Sequence, residues 1–251
     1  MSENKIIYAV GLGPGSDDFI APKAKDVIAA CDVIAGYTTY LKQFPDLFDG
    51  KTIIGNGMRG ELERCRLALD ATLQGHRVAV ISSGDAGIYG MAGLLLELTE
   101  QPVYAGIQVE VIPGITAATA AAALLGAPLM NDFCVISLSA LMTPTEVIRH
   151  RLQAIAEADL VTVLYNPAST RRRELIREAV TFFIASRSGE CPAGIIHEAT
   201  RPEERTMIVK LQDFPFDDID MNTLVIIGNS ATVERNGKLY TRRGYLEKYE
   251  K

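Results

Sequence analysis

The sequence predicts an α/β protein of two domains, each a sheet with helices packed on it. Three observations carry this reading. Short apolar runs of strand length alternate with segments of helical spacing along the chain. Several of the apolar runs end in glycine-rich loops, as parallel strands do where they pass into helices. With 251 residues, 48% of them hydrophobic, the chain can bury one large core or two smaller ones.

The first half supplies a regular alternation. Lys5 to Val10 is an apolar strand closed by Gly11-Leu12-Gly13-Pro14-Gly15-Ser16. Pro22 to Cys31 has helical spacing, Asp32 to Ala35 is apolar again, and Thr52 to Ile54 reads as a strand. Glu61 to Gln74 is an amphipathic helix with Leu62, Cys65, Leu69 and Leu73 on one stripe, ended by Gly75. Arg77 to Ser82 and Val109 to Ile112 are strands, with a helix at Ala92 to Leu98 between them. Strands separated by helices imply a parallel sheet covered on both faces.

The second half opens with an alanine helix, Thr116 to Leu125, behind Pro113-Gly114. Helical spacing returns at Glu146 to Ile155 and from about Thr170 to Ala185. Between these helices Leu160 to Tyr165 is a buried strand, turned at Asn166-Pro167. Ala193 to His197, Met207 to Lys210 and Thr223 to Ile227 also read as strands. The halves join near residues 113 to 131, and the expected domains are 1–115 and 116–251.

Composition excludes several classes. Charged residues make up 22% of the chain and argue against disorder. The net charge is -6 and the basic residues form no long run, so no broad attraction to nucleic acid or to an anionic membrane is expected. The four cysteines, Cys31, Cys65, Cys134 and Cys191, stand singly. No CxxC pair supports zinc or iron–sulfur ligation, and no resident metal is expected. Scattered thiols suit a reducing cytoplasm. The start, Met-Ser-Glu-Asn-Lys, is not followed by an apolar segment of signal-peptide length. The longest apolar stretch, Ile115 to Met130, is too short and too rich in alanine to span a bilayer.

The most informative segment is Ile81 to Gly93, Ile-Ser-Ser-Gly-Asp-Ala-Gly-Ile-Tyr-Gly-Met-Ala-Gly, directly behind the apolar Val78-Ala79-Val80. A strand runs into a loop of four glycines and one carboxylate, Asp85. Glycine lets the backbone approach a ligand closely. The carboxylate can accept hydrogen bonds from hydroxyls or an ammonium group. A small polar cofactor fits there, at the carboxyl end of a parallel strand. A plain strand-to-helix turn fits this loop about as well. The Gly11–Ser16 loop is similar to a dinucleotide loop but fails that pattern, because Ser16 replaces the third glycine and Pro14 removes a backbone donor.

Three motifs occur in order: the Gly-Pro-Gly-Ser loop, Ser83-Gly84-Asp85-Ala86-Gly87-Ile88-Tyr89, and Ile112-Pro113-Gly114-Ile115-Thr116-Ala117. Together they resemble the tetrapyrrole (corrin/porphyrin) methylase family. Further segments are similar to its C17-methylating, ring-contracting branch in cobalamin synthesis. These are Gly36-Tyr37-Thr38-Thr39-Tyr40, Asn56-Gly57-Met58, Leu124 to Met130, Asp132-Phe133-Cys134, Tyr165-Asn166-Pro167, Ile226-Ile227-Gly228-Asn229 and Arg243-Gly244-Tyr245. The resemblance covers nearly the whole chain.

This resemblance implies two αβα domains with the active site in the cleft between them. The implied cofactor is S-adenosylmethionine, held mostly by main-chain groups. Gly84, Asp85, Ile88, Tyr89, Thr116 and Ala117 are the implied cofactor residues of the first half. Asn166, Ala199, Asn229 and Ser230 are those of the second. The implied partner is a tetrapyrrole, metal-free precorrin-3B or cobalt-factor III, and a homodimer is implied as well. Pro14, Tyr37, Asn56 and Met58 would face the tetrapyrrole. Its acetate and propionate groups call for arginine pairing, for which Lys42, Arg59, Arg171, Arg172, Arg173, Arg201 and Arg205 are candidates.

Methyl transfer needs alignment rather than a protein nucleophile, so the lack of a Ser-His-Asp or Cys-His pattern is expected. Ring contraction would use a general base. Asp85, Ser139 and His150 are candidates, with a solvated helix position the simpler reading of His150. His76 and His197 read as structural. Ala140 and Thr145 depart from the branch, which has Asp and Trp there. The competing readings are another methylase of this fold, a nicotinamide-dependent dehydrogenase built on the Gly11 loop, and a non-enzymatic binding module.

Overall fold

A computed structural model describes residues 5–57, 59–168 and 173–250. The chain divides into two compact units between Ala117 and Ala118. Thr116 and Ala117 thus belong to the first unit, two residues past the expected division after residue 115.

The first unit contains β1 (Lys5–Gly11), α1 (Pro22–Ala30), β2 (Val33–Tyr37), α2 (Thr38–Gln43), β3 (Thr52–Asn56), α3 (Glu61–Leu73), β4 (Val78–Ser82), α4 (Ala92–Thr99) and β5 (Ile107–Ile112). The strands form one sheet in the order β3-β2-β4-β1-β5, and every pairing is parallel. Successive residues of a strand point to opposite faces, and both faces are buried. Ile7, Ala9, Val78 and Val80 pack in one cluster with Cys65 and Leu69 of α3 and Leu95 of α4. Val10, Ala79 and Ile81 join Ala24, Val27 and Ile28 of α1 in the other. All five strands therefore end at one edge. β1 and β4 lie side by side there, the chain leaving β1 toward β2 and β3 but leaving β4 toward β5. That reversal is where open α/β sheets place ligands.

The α3 stripe differs from its expected form. Cys65 and Leu69 are buried, but Leu62 is 45% exposed. The inward face is completed by Arg64, Ala68 and Thr72, each four residues from the next.

The second unit holds most of α5 (Ala117–Leu125), then β6 (Gly126–Ala127), β7 (Phe133–Ser137), α6 (Thr145–Glu157), β8 (Val161–Tyr165), α7 (Glu174–Arg187), β9 (Pro192–His197), β10 (Arg205–Lys210), β11 (Thr223–Ile227), β12 (Thr232–Arg235), β13 (Lys238–Thr241) and α8 (Tyr245–Tyr249). Its main sheet has the order β10-β9-β11-β8-β7, with a small sheet β12-β13-β6 beside it in the chain's topology.

The main sheet of this unit is mixed, unlike the parallel sheet of the first. β7 and β8 pair in parallel, whereas β11 is antiparallel to both β8 and β9, and β10 is antiparallel to β9. The connections explain the difference. A parallel return needs a crossover of a dozen or more residues, usually a helix. Helices α6 and α7 supply it for β7, β8 and β9, which share one direction. No α-helix lies between β9 and β10, so the chain turns straight back there. β11 keeps the direction of β10, reached by a crossing past β9 through residues 211–222 that holds only two short 3-10 turns.

Candidate functional site

The first unit's candidate site is built from backbone at the sheet edge. Gly11, Gly84 and Gly114 close β1, follow β4 and follow β5, respectively. A Cβ on Gly114 would lie 2.2 Å from the Gly84 carbonyl oxygen, and one on Gly11 would lie 2.7 Å from both that oxygen and the Gly114 nitrogen. No side chain fits at this crossing, and peptide groups face one another directly.

Hydrogen bonds hold the crossing. Leu12 N donates to Ser82 O (2.9 Å), Gly13 N to Gly84 O (3.0 Å) and Gly84 N to Gly13 O (2.7 Å). The Leu12 and Gly13 amides are thus committed to neighbouring backbone and are not available to a phosphate. Pro14, expected to face the tetrapyrrole, is buried. Ser16 accepts from Asp18 N (3.3 Å) as a local cap.

Asp85 joins two loops. One oxygen accepts from Gly87 N (2.8 Å) and the other from Gly114 N (2.9 Å). The second bond reaches from the loop behind β4 to the loop behind β5. Gly84 rests against Thr116 and Ala117, with ideal Cβ distances of 3.7 Å to Ala117 N and 3.8 Å to Thr116 Cα. Ile88 and Tyr89 are exposed, and Tyr89 has a positive φ of 54°. The structure therefore brings Gly84, Asp85, Thr116 and Ala117 together, with Ile88 and Tyr89 on the same loop.

Other residues expected at this edge have local roles. Tyr37 packs edge-on against Tyr40 at 5.2 Å, and Lys42 is exposed in the last turn of α2. Asn56 donates to Gly60 O (2.8 Å) and accepts from Arg64. Arg59 is exposed with φ 68°. Met58, Arg171 and Arg172 lie outside the described residues.

In the second unit the carboxyl ends of β7, β8 and β9 share one edge. Ser137 Oγ accepts from Asn166 Nδ2 (2.9 Å) and from Ser139 N (3.3 Å). Asn166 has φ 51°. Ala199 follows β9 between Glu198 (φ 47°) and Thr200 (φ 65°). Left-handed conformations are unfavourable for side chains with a Cβ and cluster at functional loops. Buried Thr200 Oγ1 and Arg201 Nε have no hydrogen-bond partner among the described residues. Arg201 pairs with Glu198 at 2.6 Å. His197 is buried, with Nδ1 3.0 Å from Thr223 Oγ1, and His150 and His76 are exposed.

Asn229 and Ser230 require a correction. They follow β11, which runs opposite to β8 and β9. They thus lie at the other edge of the sheet from Asn166 and Ala199, on the order of 15–20 Å away at ~3.3 Å per strand residue. Their polar groups are engaged there. Ser230 Oγ donates to Asp159 Oδ2 (2.5 Å), Asn229 Nδ2 to Asp159 O (3.1 Å), and Asn229 Oδ1 accepts from Ala231 N (3.0 Å). They cannot share one wall with Asn166. Arg173 pairs with Asp217 at 3.1 Å, and Arg205 is exposed. A groove of about 800 Å³ lined by Leu124, Pro192, Met207 and Arg235 contains none of the expected site residues.

Ala140 packs against the second unit's hydrophobic cluster. Among the described residues no group of three His, Cys, Asp or Glu side chains could hold a metal ion. No described helix is long and apolar enough to cross a membrane.

Residues 6–215 match the family model of tetrapyrrole (corrin/porphyrin) methylases. The chain belongs to that family. This methylase is similar to a probable cobalt-factor III C(17)-methyltransferase of Salmonella typhimurium, with 44% identity over 96% of this chain and 99% of the relative. Against some longer relatives it spans about half their length, 46% in one case. Among solved structures it resembles the methyltransferase CobJ, with TM-score 0.89, 35% identity, and coverage of 94% of this chain and 99% of that one. It also shares its fold with a uroporphyrin-III C-methyl transferase of Thermus thermophilus solved with S-adenyl homocysteine, with TM-score 0.69 and 23% identity over 88% of this chain and 96% of that one.

Sequence reading missed Ser137, Thr200 and Arg64 of this methylase. Arg64 left a signal, because it stands in one four-residue row with Ala68 and Thr72 on a buried helix face. Ser137 and Thr200 left none, since a serine or threonine behind a strand is common.

Proposed function

We propose that the chain is an S-adenosylmethionine-dependent C17-methyltransferase of cobalamin synthesis, acting with ring contraction on cobalt-factor III or on its metal-free counterpart, precorrin-3B. The observation that carries this reading is the 44% identity across nearly the full length of both chains with the Salmonella relative of that name. That name also favours the cobalt-bearing substrate.

The residues present fit the donor. Main-chain groups crowd the edge where β1, β4 and β5 end, and no Cβ stands between them. In the first unit Gly84, Asp85, Ile88, Tyr89, Thr116 and Ala117 would hold it. In the second, Asn166 and Ala199 remain candidates, as does the Thr200 hydroxyl, which has no hydrogen-bond partner among the described residues. When bound, S-adenosylmethionine supplies an electrophilic methyl group on a sulfonium. This chain's contribution is alignment, which can lower a barrier by about 7–11 kcal/mol at best.

Asp85 serves as the tie that sets Gly84 against Gly114 rather than as a base, because both its oxygens already hold backbone amides. Ser139 stays the candidate for proton handling at the C20 hydroxyl. Arg59 and Lys42, both exposed near strand ends, would meet substrate carboxylates. A homodimer in the cytoplasm belongs to the same proposal.

The test is direct. Purified protein is incubated with S-adenosylmethionine and each substrate, and the product is analysed by mass spectrometry and NMR. One added methyl at C17 with a contracted macrocycle is expected. Methylation at another carbon would redirect the proposal to a different member of the family.

A further inference from the structure

Arg64 lies outside the sequence motifs, yet it is among the most deeply buried charges of the first unit, at 3% exposure. It lies in the first turns of α3 and reaches two loops at the sheet edge. Nη1 donates to Asn56 Oδ1. Nη2 meets Met91 Sδ at 3.8 Å. Nε is buried without a partner among the described residues, and no described carboxylate forms an ion pair with Arg64. A buried guanidinium without an anion is unfavourable, and an apolar side chain of similar volume would pack there at less cost. So packing alone does not account for an arginine here.

Burial also excludes direct contact with a ligand, since almost none of the side chain is accessible. Its action has to pass through the groups it holds. Asn56 ends β3, donates to Gly60 O (2.8 Å), and through its carbonyl accepts from Thr38 Oγ1 (3.0 Å). It thereby anchors the loop that carries Arg59. Met91 ends the loop that begins at Ser83, and its own N–H donates to Ser82 Oγ (3.1 Å).

We propose that Arg64 is a positioning residue: its planar fork ties the loop behind β3 to the Ser83–Met91 loop, so that a substrate-side arginine and the donor-side backbone keep one mutual geometry. The inference rests on the methyltransferase reading above. Lysine cannot replace the fork, because a single ammonium on a flexible stem does not hold two partners in one plane.

The experiment compares wild type, Arg64→Met and Arg64→Lys in the full chain. Hydrogen exchange followed by mass spectrometry reads the loops without any activity. Faster exchange in both variants at residues 56–60 and 83–91, with the sheet strands unchanged, is expected. With C17 methylation by wild type as the control, both variants should lose kcat on the order of tenfold to a hundredfold, the scale of a roughly 1 Å misplacement. KM for the tetrapyrrole should change much less. Full activity in Arg64→Lys would overturn the tie, as would loosening spread evenly over the unit. Wild-type protein without methylation, together with the selective loosening, would leave the tie standing and defeat the functional reading instead.

Discussion

Replacing Asp85 separates two roles that the sequence left together. A general base would be lost in Asp85→Asn with little effect on stability. A tie behaves otherwise. The carboxylate bonds to Gly87 N at 2.8 Å and to Gly114 N at 2.9 Å. The Gly87 end is exposed, and water can replace that bond at small cost. The Gly114 end is half-buried, and a stranded amide there costs about 1–3 kcal/mol. An asparagine presents one acceptor oxygen where the aspartate uses two, so it retains one bond and loses the other. Asp85→Asn should therefore lower stability by roughly 1–2 kcal/mol and Asp85→Ala by roughly 2–3 kcal/mol. At about 2–4 °C per kcal/mol for a chain of this size, the Tm falls by several degrees. Donor affinity falls with it, because Gly84 and Gly114 lose their mutual position. Differential scanning fluorimetry and calorimetric titration of S-adenosylmethionine measure both quantities. Wild-type Tm and donor affinity in Asp85→Asn, with turnover abolished, would refute the tie and restore Asp85 as the base.

Gly114→Ala places a methyl 2.2 Å from the Gly84 carbonyl. Overpacking of this kind costs about 1–3 kcal/mol or more, and the variant should lose donor binding in the same titration. Ser230→Ala removes the 2.5 Å bond to Asp159 at the far edge of the second sheet. Stability should fall by about 1 kcal/mol, about 2–4 °C in Tm, while donor Kd stays within about twofold of wild type. A large change in Kd would return Ser230 to the cofactor site. Arg59→Ala should raise KM for the tetrapyrrole severalfold, about 0.5–1 kcal/mol for an exposed pair, with S-adenosylmethionine affinity unchanged. Hydrogen bonding from Arg149 holds the Glu178 carboxyl below its ordinary value. Its contribution is therefore present above the unfolded carboxylate range of about 4 and fades as pH drops through the lowered native value. Glu178→Gln should reduce Tm at neutral pH and converge with wild type in acid. A constant offset down to the acid limb would contradict the linkage.

What the sequence disclosed follows the physics of each element. The first sheet was readable because its central strands β1, β2 and β4 are apolar on both faces and each is followed by a helix, so periodicity and loop signals agree. Directions in the second sheet were not. An apolar run such as Thr223 to Ile227 looks alike whether parallel or antiparallel. The reversal comes one strand earlier, at the helix-free link from β9 to β10, and β11 then keeps the direction of β10. That same reversal moved Asn229 and Ser230 to the far edge, which a one-dimensional motif cannot express. Main-chain geometry hid the working part of the first site. Gly11, Gly84 and Gly114 are remote in sequence, and their mutual approach depends on β1 lying between β4 and β5. Asp85 was visible as a carboxylate among glycines, but its commitment to Gly114 N was not.

On the proposed function, peptide groups around Gly84, Thr116 and Ala117 hold a sulfonium donor. A crystal structure with S-adenosylhomocysteine bound tests it most directly. Ligand density is expected against Gly84 and the Thr116–Ala117 backbone, with the Asp85 bond to Gly114 N retained. Ligand bound elsewhere in the chain, with the Gly84–Tyr89 loop facing only solvent, would contradict it.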